Sequence, residues 1–283
     1  MGATFVIALR EGLEATLIVS ILLAYLRQVG RADRSNLVWW GTALAVVMST
    51  AAGSVIFFAG AEFEGTGEQL FEGLVTLSAV IVLTWMIFWM RRQGARLRGD
   101  LQGKVDMALT AGGFALASLA FFAVLREGVE TALFFYAAAK GTAAPSGAEV
   151  AQIAGGVLGL ATAATLGILL YRGGIKLDLR SFFRLTGTIL VVVAAGLFAF
   201  SLHELQEAGV LPFLPGIAFD ISSVLPDDAG VGAVMRGLIG YHANPSWLEV
   251  AGWIGYLTAV GALFLRPDAV PSQTAAPVSS TTS

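Results

Sequence analysis

Leu9-Arg10-Glu11-Gly12-Leu13-Glu14-Ala15-Thr16 recurs 116 positions later as Leu125-Arg126-Glu127-Gly128-Val129-Glu130-Thr131-Ala132. Both copies lie inside apolar stretches long enough to cross a bilayer. Each ionisable side chain near a bilayer centre costs roughly 2.5–3.5 kcal/mol or more. A chain that carries the same three charges twice, in the same order, is most simply handling a charged solute there.

Composition sets the surroundings of these motifs. Of 283 residues, 56% are hydrophobic and only 13% charged, and the mean hydropathy is +0.77. Soluble domains carry about 25% charged residues, so the expected fold is an all-α polytopic membrane protein in contact with the lipid bilayer. The net charge of −3 gives no reason to expect a nucleic-acid partner. The absence of cysteine removes disulfides, thiolate metal sites and iron–sulfur clusters. No Gly-x-x-x-x-Gly-Lys-Ser/Thr phosphate loop is present, so ATP bound to this chain is not expected to drive transport. The first apolar run carries Arg10, Glu11 and Glu14 and lacks a signal-peptide pattern, so it reads as a retained membrane helix.

Seven stretches reach the ~20 apolar residues that a span requires. They are Thr4–Leu26, Leu37–Ala61, Leu70–Met90, Ala108–Ala139, Ala151–Tyr171, Phe183–Leu205 and Trp247–Leu265. The fourth is longer than necessary, and Gly112-Gly113 marks a kink or a surface-lying lead-in. Shifting the chain by about the motif spacing lays spans one to three on spans four to six. Because three is odd, the halves form an inverted repeat, a recurrent transporter plan with a polar site at the repeat interface. Repeat A covers about 4–90 and repeat B about 108–207; an extra seventh helix covers about 247–265. The membrane domain is thus 1–266, followed by a Pro/Ser/Thr/Ala-rich tail over 267–283 that is expected to be a disordered cytoplasmic segment.

The loops alternate in charge. One set holds Arg27, Arg31, Arg34, Arg91, Arg92, Arg96, Arg98, Lys104, Arg172, Lys176, Arg180, Arg184 and Arg266. The other set holds Glu62, Glu64, Glu68, Glu149, Asp220, Asp227 and Asp228, with only Lys140 and Arg236 as bases. Basic loops stay inside, so a multi-pass protein of the cytoplasmic (inner) membrane is expected, with its N-terminus outside and its C-terminus in the cytoplasm.

On a helix, residues 10, 11 and 14 fall within a wedge of about 100°, as do 126, 127 and 130. Glu11, Glu14, Glu127 and Glu130 can therefore face one ion, with Arg10 and Arg126 holding them ionised and placed. Carboxylates favour hard cations such as Mg, Ca, Mn and oxidised iron. Small neighbours, Gly12, Ala15, Gly128 and Ala132, permit close helix approach. The competing reading is two buried ion-pair networks that fix helix register and bind nothing; buried pairs stabilise poorly, which disfavours it. Further metal-contact candidates are Glu72, at the entry of span three, and His203 and Glu204, at the end of span six. Thr84 and Ser78 are weaker candidates for lining a path. His203 and His242 together would also permit haem ligation in a redox protein.

These residues carry a resemblance. Arg10–Glu14, Arg126–Glu130, the acidic start of span three at Glu72 and His203-Glu204-Leu205-Gln206-Glu207-Ala208-Gly209 together resemble the iron permease family, which includes the fungal high-affinity iron permeases and bacterial EfeU-type ferrous iron permeases. The likeness covers roughly residues 1–266. It implies a permease and not an enzyme, with ferrous or ferric iron as substrate, no permanently bound cofactor, and Glu11, Glu14, Glu127 and Glu130 as ion-handling carboxylates. It also implies a separate partner outside the cell: an iron-binding protein, a haem peroxidase or a ferroxidase. Transport of another divalent metal such as manganese or lead, or a non-transporting anchor for an extracytoplasmic oxidase, remain the alternatives. Oligomeric state is left open, a homo-oligomer included.

Overall fold

The computed structural model describes residues 2–93, 97–141, 148–172, 178–227 and 229–266. Arg96, Lys176, Asp228 and the tail 267–283 fall outside the described residues. Among those described, the chain is helical: α1 (Gly2–Gln28), α2 (Ser35–Glu62), α3 (Thr66–Gln93), α4 (Leu97–Ala111), α5 (Gly113–Gly141), α6 (Ala148–Tyr171), α7 (Leu179–Glu207), α8 (Gly230–Ile239) and α9 (Trp247–Leu265). Among the described residues, five helices suit a membrane crossing by length and composition: Ala32–Glu62, Thr66–Met90, Val150–Tyr171, Ser181–Glu207 and Trp247–Leu265. Helices α1 and α5 have 27 and 29 residues, but the Arg-Glu-x-x-Glu charges near their midpoints set them apart in composition.

The surface shows which solvent this chain was built for. Trp40 is 74% exposed and Phe114 87%, and Val55, Phe58, Ile81, Phe122, Ile153 and Leu185 also point outward. Water would penalise so much apolar surface. Lipid does not. With no water at that depth, every backbone group has to be paired within the segment, which is why the spanning elements are helices.

The fourth span breaks at the Gly112-Gly113 pair read as a kink or lead-in, and what precedes the break differs from the loop expected there. The run read as Ala108–Ala139 divides at Gly112, whose φ of +112° lies where an L side chain is strained. The long helix of the fourth span therefore starts at Gly113. The preceding residues, read as part of a charged loop, form α4, whose Leu101, Val105 and Ala108 are buried against Leu22, Leu26, Val38 and Leu116. The charged residues hid this short amphipathic helix.

Helix pairing is non-sequential. Helix α1 packs chiefly on α6, α2 on α5, and α3 on α7, with α9 laid along α7. The first two pairs run parallel: Thr16 and Ser20 of α1 donate to the carbonyls of Ala163 and Gly167 of α6, and Gly41 and Gly60 of α2 meet Ala117 and Tyr136 of α5. Close approach depends on missing side chains. A Cβ on Gly159 would sit 2.6 Å from the Phe5 carbonyl oxygen, and one on Gly41 would sit 2.2 Å from that of Ala117. Gly12 and Gly128 face Ala163 of α6 and Ser49 of α2, so these small residues seat the motif helices on their neighbours. By contrast, α3 and α7 run antiparallel, with Gly73 beside Leu205 and Gln69 bonded to Glu207.

These directions sort the bundle into two ends. One gathers the C-termini of α1, α3, α6 and α9 with α4 and the N-termini of α2, α5 and α7. The other gathers the N-termini of α1, α3 and α9 with the C-termini of α2, α5 and α7, together with α8. A dense apolar cluster surrounds the motif level, and its part toward this second end includes Ile7, Leu83, Phe134, Ala137 and Leu197.

Candidate metal centre

Helices α1 and α5 cross where their motifs lie. Glu11, Glu14 and Glu127 each offer one carboxylate oxygen, and these atoms all fall within 4.8 Å of one another. All three residues are buried, as is Glu130. The expected fourth carboxylate sits slightly apart: Glu130 accepts from Arg126 Nε at 2.9 Å, yet remains within electrostatic reach of Glu11 and Glu14. Local helix geometry accounts for the pairs within each motif, since i and i+3 or i+4 residues share a face. Only the crossing unites the two motifs.

The arginines occupy different surroundings. Arg10 is 1% exposed, with Nη1 3.4 Å from Glu11 Oε1 and Nη2 3.4 Å from Glu14 Oε1, and Nη1 also meets Met86 Sδ. Arg126 keeps 35% of its side chain exposed and lies over Trp89, 4.7 Å from the ring centroid, and Trp85, at 5.5 Å. Such cation–π contacts hold a guanidinium in place while leaving its edge free to bond.

The arrangement leaves acceptors unused. Glu11 Oε2, Glu14 Oε1, Glu127 Oε2 and Glu130 Oε2 are buried without a hydrogen-bond partner. Buried polar groups are nearly always satisfied, and a buried carboxylate without compensation is expensive. Several such oxygens facing one another call for a shared positive partner. Two guanidinium groups supply only part of it. A cavity of about 550 Å³ reaches this cluster from the α4 end, lined among others by Glu14, Glu127, Arg126, Trp89, Asp100 and Lys104. The carboxylates are therefore accessible from one end of the bundle and walled off by the apolar cluster at the other.

At that other end the remaining candidates separate into two groups. Glu72 is buried and paired with Lys140, which also lies 3.7 Å from Glu68. Glu204 is half-buried, with Glu72, His203, Glu207 and Glu68 as its charged neighbours. Below them, Thr76 Oγ1 and Tyr136 OH are buried and unpartnered. His203 joins Glu249 of α9, Nδ1 to Oε1 at 3.1 Å, while its Nε2 lies 3.3 Å from Glu207. Adjacent residues on a helix point about 100° apart, so His203 reaches Glu249 while Glu204 faces Glu72 and Glu68, with Glu207 near both.

Sequence reading passed over Glu249 and gave Lys140 no role. The pattern Ser246-x-x-Glu249 was a readable capping box, and it forms. Nothing local indicated that the Glu249 carboxylate would also meet two histidines. Ser78, weighed as a path-lining residue, bonds its own helix at Leu74 and is exposed on the bundle surface. Thr84 bonds Val80 and the Tyr256 hydroxyl of α9, which ties α3 to α9.

The family model described as Iron permease FTR1 family matches residues 1–269. The chain is similar to the ferrous iron permease EfeU of Escherichia coli O6:K15:H31, 42% identical over 273 residues that cover 94% of this chain and 96% of that protein. It is likewise similar to the ferrous iron permease EfeU of Yersinia pestis, 38% identical over 273 residues, with 94% of each chain covered. No solved structure matches.

Proposed function

Given that this chain belongs to the iron permease family, and is thus a multi-pass membrane transporter of iron and not an enzyme, we propose that iron ions cross through the joint carboxylate cluster of α1 and α5. The observation that carries this reading is the meeting of Glu11, Glu14 and Glu127, from two separate helices, within 4.8 Å. Oxygen-only donors with vacant lone pairs suit a hard or borderline cation. Arg10 and Arg126 hold the carboxylates in place when no ion is present, and lower the affinity enough for release.

In this reading α1 and α5 also cross the membrane, which makes seven spans. Their charges face the bundle interior, where intramembrane charges belong. An inverted repeat of α1–α3 and α5–α7 is supported by the pairing, because α1 on α6, α2 on α5 and α3 on α7 is the pattern a two-fold relation between halves produces. Arg27, Arg31, Arg34, Lys104, Arg172 and Arg184 cluster at the α4 end, which supports a cytoplasmic assignment for that end and an outside N-terminus. The structure then corresponds to an inward-open arrangement. Glu72, Glu204 and Glu68 receive the ion at the outer end, with Thr76 and Tyr136 beneath them. Inward movement of a cation gains about 2.3 kcal/mol per charge per 100 mV. Iron is handed over by a separate extracytoplasmic protein, an iron-binding protein or an oxidase.

The test is uptake of radiolabelled iron by proteoliposomes with an inside-negative potential, comparing wild type with Glu14→Gln and Glu130→Gln. Loss of uptake by correctly inserted variants is expected. Unchanged uptake in both would return the motifs to a structural role, and equal rates for manganese and iron would sink iron selectivity.

A further inference from the structure

We infer that His203, His242 and Glu249 form a second metal site, separate from the carboxylate cluster and selective for a divalent first-row transition-metal cation of the ferrous class. Each residue offers one ligand atom, and the three lie within 4.8 Å of one another. They come from three places: the last turns of α7, the segment between α8 and α9, and the first turn of α9. The site lies at the end of the bundle opposite the α4 cavity and shares no residue with the carboxylate cluster.

The geometry resembles a coordination sphere in which hydrogen bonds take the place of the ion. His203 Nδ1 is 3.1 Å from Glu249 Oε1, and His242 Nδ1 is 3.0 Å from Glu249 Oε2. Ligands at about 2.1 Å from one ion stand roughly 3.0–3.4 Å apart. The two nitrogen–oxygen separations already match that spacing, and the three donor atoms, all within 4.8 Å of one another, would close toward it around an ion. The two rings are edge to face, with centroids 5.1 Å apart, and their Nδ1 atoms meet the two oxygens of one carboxylate.

What surrounds these donors is what bound imidazoles need. The outward nitrogen of a metal-ligating histidine almost always donates to a carboxylate or carbonyl, which sets its tautomer. Here Nε2 of His203 lies 3.3 Å from Glu207, and Nε2 of His242 lies 3.6 Å from Asp227. Asp227 is itself held by Arg236 at 3.1 Å. Glu249 is fixed by the Ser246 backbone N–H, which donates to its Oε1 at 3.0 Å. With no ion bound, each Nδ1–H donates to Glu249; an ion would displace those protons, leaving Nε2–H of each ring toward Glu207 or Asp227 and Nδ1 as the ligand.

Exposure and donor type complete the case. The histidine side chains are 30% and 25% exposed while Glu249 is 6%, so the site is open to solution on one side and anchored on the other. Two imidazoles and one carboxylate, with coordination positions left open, are the donor set of non-haem ferrous centres. The all-oxygen cluster of α1 and α5 favours harder ions. The protein thus offers a nitrogen-containing site for capture at one end and oxygen sites within. The placement also gives α9 a task, since it supplies the carboxylate.

Cobalt(II) is the probe, because its visible spectrum and X-ray absorption report its ligands. Purified full-length protein is loaded with excess Co(II) and desalted, in wild type, in His203→Ala/His242→Ala, in Glu249→Gln and in Glu14→Gln/Glu130→Gln. Wild type should retain a Co(II) ion with two imidazole ligands in its X-ray absorption. The histidine variant should lose that signal and one Co(II) per chain, Glu249→Gln should bind it at least 100-fold more weakly, and the motif variant should keep it. Oxygen-only ligation in wild type would overturn the proposal, and that result needs no variant to fold. Equal cobalt content in the histidine variant, or loss of the imidazole signal in the motif variant, would also overturn it.

Discussion

Glu14→Gln isolates charge from shape at the centre of the proposed path. The substitution keeps the size of the side chain and one oxygen donor and removes one negative charge. Glu14 sits beside Glu11 and Glu127 and lies 3.4 Å from Arg10. Two unit charges about 4 Å apart interact by about 4 kcal/mol at an effective dielectric constant of 20, which gives roughly 8 kcal/mol for a divalent ion. Part of this is offset, because the lone carboxylate is desolvated and repelled by its neighbours whenever the ion is absent. A conservative net loss of about 3 kcal/mol corresponds to roughly 100-fold in affinity. The same offset means the folded protein should not suffer, since one of several crowded like charges has gone and Arg10 keeps Glu11 as partner at 3.4 Å. The assay is initial iron uptake into proteoliposomes across a concentration series, alongside thermal unfolding in detergent. The expected result is a half-saturation concentration raised at least 100-fold with no fall in melting temperature. A half-saturation value within threefold of wild type would refute the electrostatic reasoning, and a large loss of stability would show that Glu14 serves the fold.

Other substitutions probe separate links. Arg10→Lys keeps the charge but loses the fork that reaches Glu11 and Glu14 together, so uptake should fall at least tenfold; wild-type kinetics would show that only a point charge is needed. Lys140→Met frees Glu72 and Glu68 from their common cation, and the half-saturation concentration for iron should fall if those carboxylates receive the ion, whereas an unchanged value would remove them from the path. Gly159→Val places a side chain against the Phe5 carbonyl and Leu9 N–H of α1, and overpacking of this kind costs about 1–3 kcal/mol or more. Gly99→Ala meets nothing within 4 Å and should raise helix stability by about 0.5–1 kcal/mol, so melting curves that rank the two substitutions the other way would reject the packing argument.

Much of the membrane architecture was legible in order. A helix repeats every 3.6 residues, so residues 10, 11 and 14 had to share a face, and so did 126, 127 and 130. The long apolar stretches follow from backbone groups having no partner in lipid except one another. The duplicated motif and the alternating loop charges were visible for the same reason: each is a local pattern. The sites of error were also local. Polar residues concealed the helical state of α4, although the Gly112-Gly113 pair that separates it from α5 was legible.

Partnership between distant residues was decided by the tertiary structure alone. That α1 seats on α6 and α2 on α5 depends on glycines whose value lies in what a neighbouring helix places opposite them. His203, His242 and Glu249 follow no common period, and they meet because α9 packs back along α7. Composition and periodicity determine which faces a helix must hide, since those depend on the chain's own geometry. Which face meets which is a property of the packed whole, because many pairings bury similar apolar area and only close fit selects among them.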